Sequence, residues 1–178
     1  EQLRAILLPR QAGSTEPRAE ALMMCAARAQ LVAREIRPRL ERHEPVVCDR
    51  YGDSTLAYQG YGRGLDLDEL RTAIRLATGG LAPDLTVLLD LDVDIALRRK
   101  TSPESRPDSD TDPSDASFFD TIALEFRERV RRGYHDLAAG EPERWIVLDA
   151  SQPREVLHER IGAAVSQLWA KGDRPWPT

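Results

Sequence analysis

Three short apolar runs, separated by segments of helical periodicity, constrain the fold of this chain more than any other feature. The runs are Val46–Cys48, Leu85–Asp92 and Trp145–Asp149. They are almost continuously apolar, as the strands of a parallel sheet are when helices cover both of its faces. Strands that alternate with helices are typical of α/β proteins. The sequence therefore predicts an α/β fold in which a mostly parallel sheet is flanked by helices.

Helical periodicity fills most of the remaining chain. The longest helical segment is expected to face the core through a stripe that includes Leu22 and Cys25, and Pro38 predicts a bend or break near its end. Acidic, proline and serine residues dominate positions 101–116, which predicts a mobile lid within a single domain of residues 1–178. The predicted helical segments are residues 1–8, 18–43, 54–59, 66–78, 93–100, 118–139 and 153–170.

Composition limits the possible partners and compartments. The formal net charge of -5 argues against a general nucleic-acid-binding surface, which would be basic. No apolar run approaches the roughly 20 residues that span a bilayer, so no membrane contact is expected. Cys25 and Cys48 lie in a helix-like and a strand-like context, as small core residues of a reduced compartment do. The composition predicts a soluble cytoplasmic protein.

Each apolar run ends in an acidic residue or is followed directly by one. In open parallel sheets, ligands bind beyond the carboxyl ends of the strands. Capping of the following helix is at least as good an explanation for Asp92 and Asp149. Asp49 is followed directly by Arg50, and a guanidinium can hold a phosphate through two hydrogen bonds. This pair favours a phosphate site, and the alternative is a buried ion pair that serves only the fold.

Four stretches give the chain a family resemblance. Asp49–Gly60, Ala26–Gln30, Leu81–Leu91 and Leu148–Pro153 occur in the order and spacing of bacterial thymidylate kinases, which the sequence resembles over nearly all of its 178 residues. The resemblance implies a three-layer nucleoside monophosphate kinase fold of the P-loop type. It also implies phosphorylation of dTMP to dTDP by ATP with Mg²⁺, and a homodimer.

The resemblance assigns residues to the phosphate of dTMP. It implies that Arg50 holds the monophosphate and that Asp49 orients Arg50 or a magnesium-bound water. Arg106 is the candidate for the lid arginine that contacts the transferred phosphoryl group, with Arg98 and Arg99 as alternatives. Residues 117–120 stand where many bacterial members carry that arginine.

Recognition of thymine requires a donor for O4 and a partner for the N3–H group. The resemblance places Arg28 and Thr55 in these roles, with Gln59 in support. It places Tyr58 against the deoxyribose, where a 2′-hydroxyl would clash, and Met24 against the base. On the ATP side, it implies contacts from Arg99, Asp149, Ser151, Gln152 and Pro153.

One departure from the family pattern concerns the nucleotide donor. The sequence contains no Gly-x-x-x-x-Gly-Lys-Ser/Thr loop, and it begins at Glu1 without an initiator methionine. We therefore expect further residues upstream, and we expect the 178-residue chain alone to lack kinase activity. The alternatives are a catalytically inactive nucleotide-binding protein and a deoxynucleoside kinase, although an arginine placed for a monophosphate argues against the latter.

Overall fold

The computed structural model describes residues 15–101 and 124–171. The helix of residues 1–8, nearly all of the 101–116 lid, Arg106 and residues 117–120 lie outside the described residues. The helices are α1 Pro17–Leu31, α2 Arg37–Glu41, α3 Gly52–Thr55, α4 Leu67–Thr78, α5 Val93–Thr101, α6 Leu124–Gly140 and α7 Arg154–Lys171; the strands are β1 Thr86–Asp90 and β2 Trp145–Asp149; the π-helical segments are Val32–Ile36 and Leu56–Gly62.

The sheet is parallel, as predicted. β1 pairs with β2 in a register that sets Thr86 opposite Trp145 and Asp90 opposite Asp149. The carboxyl ends of both strands therefore meet at one edge, and each ends in an aspartate. None of the helices in the two described ranges is long and apolar enough to cross a membrane.

The strand predicted at Val46–Cys48 is wrong. Residues 44–48 have no regular secondary structure and join no sheet, and the side chain of Val47 is 100% exposed. A strand is stabilised by hydrogen bonds to a neighbouring strand. Within residues 15–101 and 124–171, the only strand pair is β1 with β2, so this run has the composition of a strand without a partner.

The long helix predicted over residues 18–43 is confirmed as a nearly continuous rod from Pro17 to Glu41. Its middle widens into the π-helical Val32–Ile36, directly before the turn that contains Pro38. A proline removes a helical N–H and crowds the carbonyl four residues earlier, and a wider turn relieves that conflict. Leu22 is 62% exposed, because the buried stripe runs through Ala21 and Cys25 instead.

Close backbone packing holds α6 against the Leu56–Gly62 segment. A Cβ atom on Gly133 would lie 2.5 Å from Cγ of Tyr61, and one on Gly62 would lie 2.6 Å from the Phe126 ring. Only residues without a side chain allow these two elements to approach so closely. The core that they share is formed by Ala21, Leu56, Ala57, Leu70, Phe126, Val130, Leu137, Ala138 and Trp145.

An ion pair ties α3 to the sheet. Arg144, just before β2, donates to both carboxylate oxygens of Asp53, at 2.8 and 2.9 Å, and to the hydroxyl of Thr86 at 2.7 Å. The side chains of Arg144 and Asp53 are only 15% and 14% exposed. This contact fixes the start of the segment that carries the predicted substrate residues.

Candidate active site

α1 packs against residues 51–62, and the seam between these two elements, called the cleft below, brings together the side chains predicted for thymine. Nη2 of Arg28 donates to the carbonyl oxygen of Tyr51 at 2.9 Å, and the guanidinium lies 5.6 Å from the centre of the Tyr51 ring. Burial lowers the pKa of Arg28 from its usual value. Nη1 of Arg28 is fully buried and has no hydrogen-bond partner among the described residues. Buried donors are nearly always paired in proteins, so this nitrogen marks a place for an acceptor.

The opposite wall carries three predicted residues on one short segment. Thr55 ends α3, and Tyr58 and Gln59 follow in the π-helical turn. Thr55 and Gln59 are 1% and 2% exposed. Met24, half-buried, lies one helical turn before Arg28 on α1 and shares its face. The structure therefore brings these predicted residues to one interface between two elements.

Gln59 has a partner that the sequence analysis missed. Its Nε2 donates to Oε1 of Glu20 at 2.6 Å, and Glu20 is 1% exposed. A glutamate set among the apolar positions of α1 was the available signal, because helix residues on the core side are rarely charged.

Arg50 lies in a strained backbone conformation. Its φ is 62°, in the left-handed region that non-glycine residues seldom occupy. Its guanidinium lies 4.9 Å from the centre of the Tyr58 ring. Strain of this kind clusters at functional sites, where the surrounding structure maintains it. The structure thus joins the residue predicted for the phosphate to the residue predicted for the sugar.

Asp49 lies beside Arg50 in sequence but does not pair with it. Both residues are exposed, and no ion pair joins them, which argues against a buried pair that serves only the fold. No group of three or more potential metal ligands occurs in the described part of the chain. A lone carboxylate nevertheless suits Mg²⁺ when nucleotide phosphates and water complete its coordination. Asp49 therefore fits the predicted metal role only together with a bound nucleotide.

Tyr134 supports Tyr58 from behind. Its hydroxyl forms a 2.8 Å hydrogen bond with the Ser54 hydroxyl, and its ring meets that of Tyr58 edge-on, with the centres 6.4 Å apart. Burial raises the pKa of Tyr134 to about 12. In the sequence this residue lies within the predicted helical segment 118–139, and no motif distinguishes it.

The residues predicted for ATP meet at the end of β2. Nη1 of Arg99 donates to the Ala150 carbonyl oxygen at 3.0 Å, and the Ser151 amide donates to Oδ1 of Asp149 at 2.8 Å. Hydrogen bonds from the Ser151 side chain and backbone lower the pKa of Asp149. Gln152 and Pro153 continue the same turn. Arg99 and residues 149–153 therefore form one surface.

The aspartates that follow β1 are already engaged. Asp92 accepts the Asp94 amide at 3.0 Å and so caps α5, in agreement with the capping explanation. Asp90 receives Nε and Nη2 of Arg131 at 2.8 and 2.9 Å, and Nε2 of His135 lies 3.1 Å from Oδ1 of Asp90. Neither carboxylate is left for an independent ligand site.

Comparison with known proteins decides the family. The thymidylate kinase family model matches residues 1–161. The chain belongs to the thymidylate kinase family. It is 48% identical over 170 residues to the thymidylate kinase of Roseiflexus sp., an alignment that covers 94% of this chain and 75% of that relative. Its identity to the Desulfovibrio desulfuricans thymidylate kinase is 52% over 154 residues, or 86% of this chain and 70% of the relative.

The thymidylate kinase of Deinococcus radiodurans is 49% identical over 152 residues, covering 85% of this chain and 69% of the relative. Thymidylate kinases are nucleoside monophosphate kinases of the P-loop fold, and they transfer a phosphoryl group to dTMP to form dTDP. The predicted family and fold class are therefore confirmed.

Proposed function

We propose that this chain provides the dTMP site of an ATP- and Mg²⁺-dependent thymidylate kinase. The observation that carries the proposal is the buried Nη1 of Arg28, which has no partner in the described part of the chain and lies in the cleft that also contains Thr55 and Gln59. A planar base with a carbonyl group at its edge would satisfy this donor. Membership of the thymidylate kinase family supports thymine as that base.

Thymine fits this cleft by its pattern of donors and acceptors. Its O4 would accept a hydrogen bond from Arg28, whereas cytosine presents an amino group there that would face the same donor. Because Nη1 of Arg28 is shielded from solvent, a base reaches it only if a neighbouring side chain moves. Met24 is suited to this, since methionine is unbranched and flexible and also provides an apolar surface for a ring.

Arg50 would hold the monophosphate. Phosphoryl transfer depends chiefly on positioning and on stabilisation of charge, and a guanidinium provides both for a phosphate. In the reaction, an oxygen of the dTMP phosphate forms a bond to the γ-phosphorus of ATP, and the bond to the β,γ-bridging oxygen breaks to release ADP. Tyr58, which packs under Arg50, would line the deoxyribose.

Mg²⁺ would neutralise phosphate charge as the transfer proceeds. Asp49 is the described carboxylate placed to hold a magnesium-bound water, because it is exposed beside Arg50. Arg99 with Asp149, Ser151, Gln152 and Pro153 would form the ATP-side surface. Arg106 stays a prediction for the lid, as it lies outside the described residues.

A cytoplasmic homodimer is the assembly we propose. Leu22 and Leu31 are 62% and 38% exposed on α1, and Leu76 is 86% exposed on α4. Apolar surface of this kind on helices suits packing against a second copy. The second candidate function, a nucleotide-binding protein without transfer activity, is disfavoured because the relatives compared above are all thymidylate kinases.

Substitution of Arg28 tests the proposed function. Isothermal titration calorimetry would measure the binding of dTMP, dCMP and thymidine to the chain. We expect dTMP to bind most tightly. Arg28→Lys keeps the positive charge but loses the second donor nitrogen, so the affinity for dTMP should fall about tenfold or more.

The matched control is Arg34→Lys, at an exposed arginine further along the same rod. It should leave all three affinities unchanged. Equal affinities of the unmodified chain for dTMP and dCMP would exclude the proposed thymine site. Tighter binding of thymidine than of dTMP would instead favour the nucleoside kinase alternative.

A further inference from the structure

Glu20 is an unusual residue for the interior of this fold. It is 1% exposed, and it is the only charged side chain among the buried residues of the described ranges. Burial of a carboxylate costs free energy unless donors compensate for the lost water. An uncharged residue at this position of α1 would cost less free energy to bury. The presence of Glu20 is therefore better explained by the donors that it accepts from than by packing.

Gln59 on the opposite wall and Arg63, directly after that wall, donate to Glu20. Nε2 of Gln59 lies 2.6 Å from Oε1, and Nη2 of Arg63 lies 3.4 Å from Oε2. An ionised carboxylate can only accept hydrogen bonds. The amide of Gln59 must therefore turn its nitrogen, the only donor in its side chain, toward Glu20. Its oxygen is left as an acceptor for other contacts.

The Glu20–Gln59 hydrogen bond is one of two that join α1 to residues 51–62. α1 and residues 51–62 run in opposite directions and are joined at two places. At one end Arg28 donates to the Tyr51 carbonyl, and at the other Gln59 donates to Glu20. Met24 and Thr55 lie at intermediate positions along the two elements. The Glu20–Gln59 hydrogen bond thus sets the distance between α1 and residues 51–62. It also determines whether the side chain of Gln59 presents a donor or an acceptor.

We infer that Glu20 is a positioning residue that makes Gln59 an obligatory hydrogen-bond acceptor and so gives the cleft its preference for thymine over cytosine. This inference rests on the proposed function. With Arg28 as donor and Gln59 as acceptor, the two walls match O4 and N3–H of thymine. Cytosine reverses both groups, because it has an amino group at position 4 and an unprotonated N3.

The variant Glu20→Gln tests this role with almost no change in shape. The amide that it introduces at position 20 can present either its oxygen or its nitrogen to Gln59, so the amide of Gln59 is free to turn and to donate. The measured quantity is the ratio of the dCMP and dTMP dissociation constants, obtained by calorimetry on the chain. We expect this ratio to fall about tenfold, which corresponds to one hydrogen bond exchanged for a mismatch.

A swap variant provides the rescue. In Glu20→Gln/Gln59→Glu, the carboxylate at position 59 can only accept, and the amide at position 20 can donate to it, so the ratio should return toward that of the unmodified chain. The swap moves the carboxylate from position 20 to position 59 without changing the net charge. Because dTMP and dCMP carry the same phosphate charge, the ratio of their dissociation constants is insensitive to this move. Glu35→Gln, at an exposed position of the same rod, is the control and should leave the ratio unchanged.

The outcomes separate this inference from the proposed function. A folded Glu20→Gln variant that keeps the original ratio overturns the positioning role, even if its thermal stability drops. If that variant does not fold, the swap decides alone, since a folded swap that has lost the preference for dTMP overturns the role. Failure of the unmodified chain to bind dTMP would remove the proposed function and this inference together.

Discussion

Tyr134 connects the candidate site to the protein interior through its hydroxyl and its ring. The hydroxyl bonds Ser54 at 2.8 Å, and the ring stands between the rings of Tyr58 and Trp145, each with centres 6.4 Å away. Edge-to-face pairs of this kind add stability beyond the area that they bury. Tyr134 therefore helps to fix the position of the ring proposed to line the deoxyribose.

Tyr134→Phe should destabilise the fold by about 1 kcal/mol, since it keeps the ring but leaves Ser54 without this partner. Chemical denaturation would measure the loss. Because the pKa is raised to about 12 in the folded state, the associated stability is present below the ordinary tyrosine pKa and is lost as the pH rises through about 12.

An ultraviolet titration should show a tyrosine that ionises near pH 12 in the original chain, and the Tyr134→Phe variant should lose this ionisation. Burial also raises the pKa of Tyr51, so that residue still ionises late in the variant. Tyr61→Phe is the control, because the Tyr61 hydroxyl forms no hydrogen bond with the described residues. Loss of the late ionisation in the Tyr61 variant instead would show that the wrong residue has been identified.

Residues whose roles depend on a local motif could be predicted, and residues that act through distant contacts could not. Arg50 and Tyr58 belong to one short stretch, and the structure places them in contact. Glu20 and Gln59 are 39 residues apart, and their hydrogen bond exists only because α1 packs against residues 51–62. Nothing in the spacing of either residue reveals that pairing.

At the scale of elements, α6 and the Leu56–Gly62 segment approach each other more closely than ordinary helices do. The contact depends on the absence of a side chain at Gly133, whose Cβ would overlap the Tyr61 ring at its point of attachment. The overlap lies near the backbone of Tyr61, where rotation of the ring offers little relief.

Gly133→Ala should therefore destabilise the protein by about 2 kcal/mol, the usual cost of overpacking. Gly140→Ala is the matched control at the end of the same helix, where nothing lies within 4 Å of an added Cβ. It should change the stability by less than about 1 kcal/mol, in the stabilising direction if at all. Thermal unfolding followed by circular dichroism would compare them, and equal effects would contradict the packing explanation.

Helices were predicted more reliably than strands because their signals are local. Asp66 accepts the amides of Asp68 and Glu69 at the start of α4, and Gly79 ends that helix with φ at 60°. Such caps can be read from adjacent residues. The run Val46–Cys48 has strand composition, but a strand depends on a partner elsewhere in the chain, and composition carries no information about that partner.

At the scale of the whole molecule, Asp90 joins the end of β1 to the middle of α6, 41 residues away. Its hydrogen bonds with Arg131, assisted by His135, lower its pKa below the ordinary aspartate value. The stability that this contact contributes is present above the unfolded-state pKa, at about 3.9, and is lost as the pH falls through the lower folded-state pKa.

Asp90→Asn should cost about 2 kcal/mol of unfolding free energy near neutral pH, and the cost should shrink as the pH falls below about 4. Urea denaturation at a series of pH values would measure it. Asp84→Asn, at an exposed carboxylate before β1, should change the stability little at any pH. A cost for Asp90→Asn that is the same at all pH values would contradict the linkage.

The general architecture could be predicted from the sequence, whereas the ion pairs between residues far apart in the chain could not. Alternating periodicities predicted an α/β fold with a parallel sheet, and β1 and β2 confirm it. The ion pairs Asp53–Arg144 and Asp90–Arg131 join residues 91 and 41 positions apart. They depend on which elements become neighbours, and a single sequence gives many charged residues that could pair in many ways.

In the phosphate-binding role proposed for Arg50, its left-handed backbone would affect how fast and how selectively an anion is captured. A guanidinium on an ordinary extended loop samples many directions, and most collisions with a phosphate are unproductive. At Arg50 the rare φ of 62° and the Tyr58 ring beneath it restrict those directions before any ligand arrives. The conformational entropy of the Arg50 side chain would thus be lost during folding and not during binding. Such a pre-oriented guanidinium would favour an anion whose shape matches it over another anion of the same charge but a different shape.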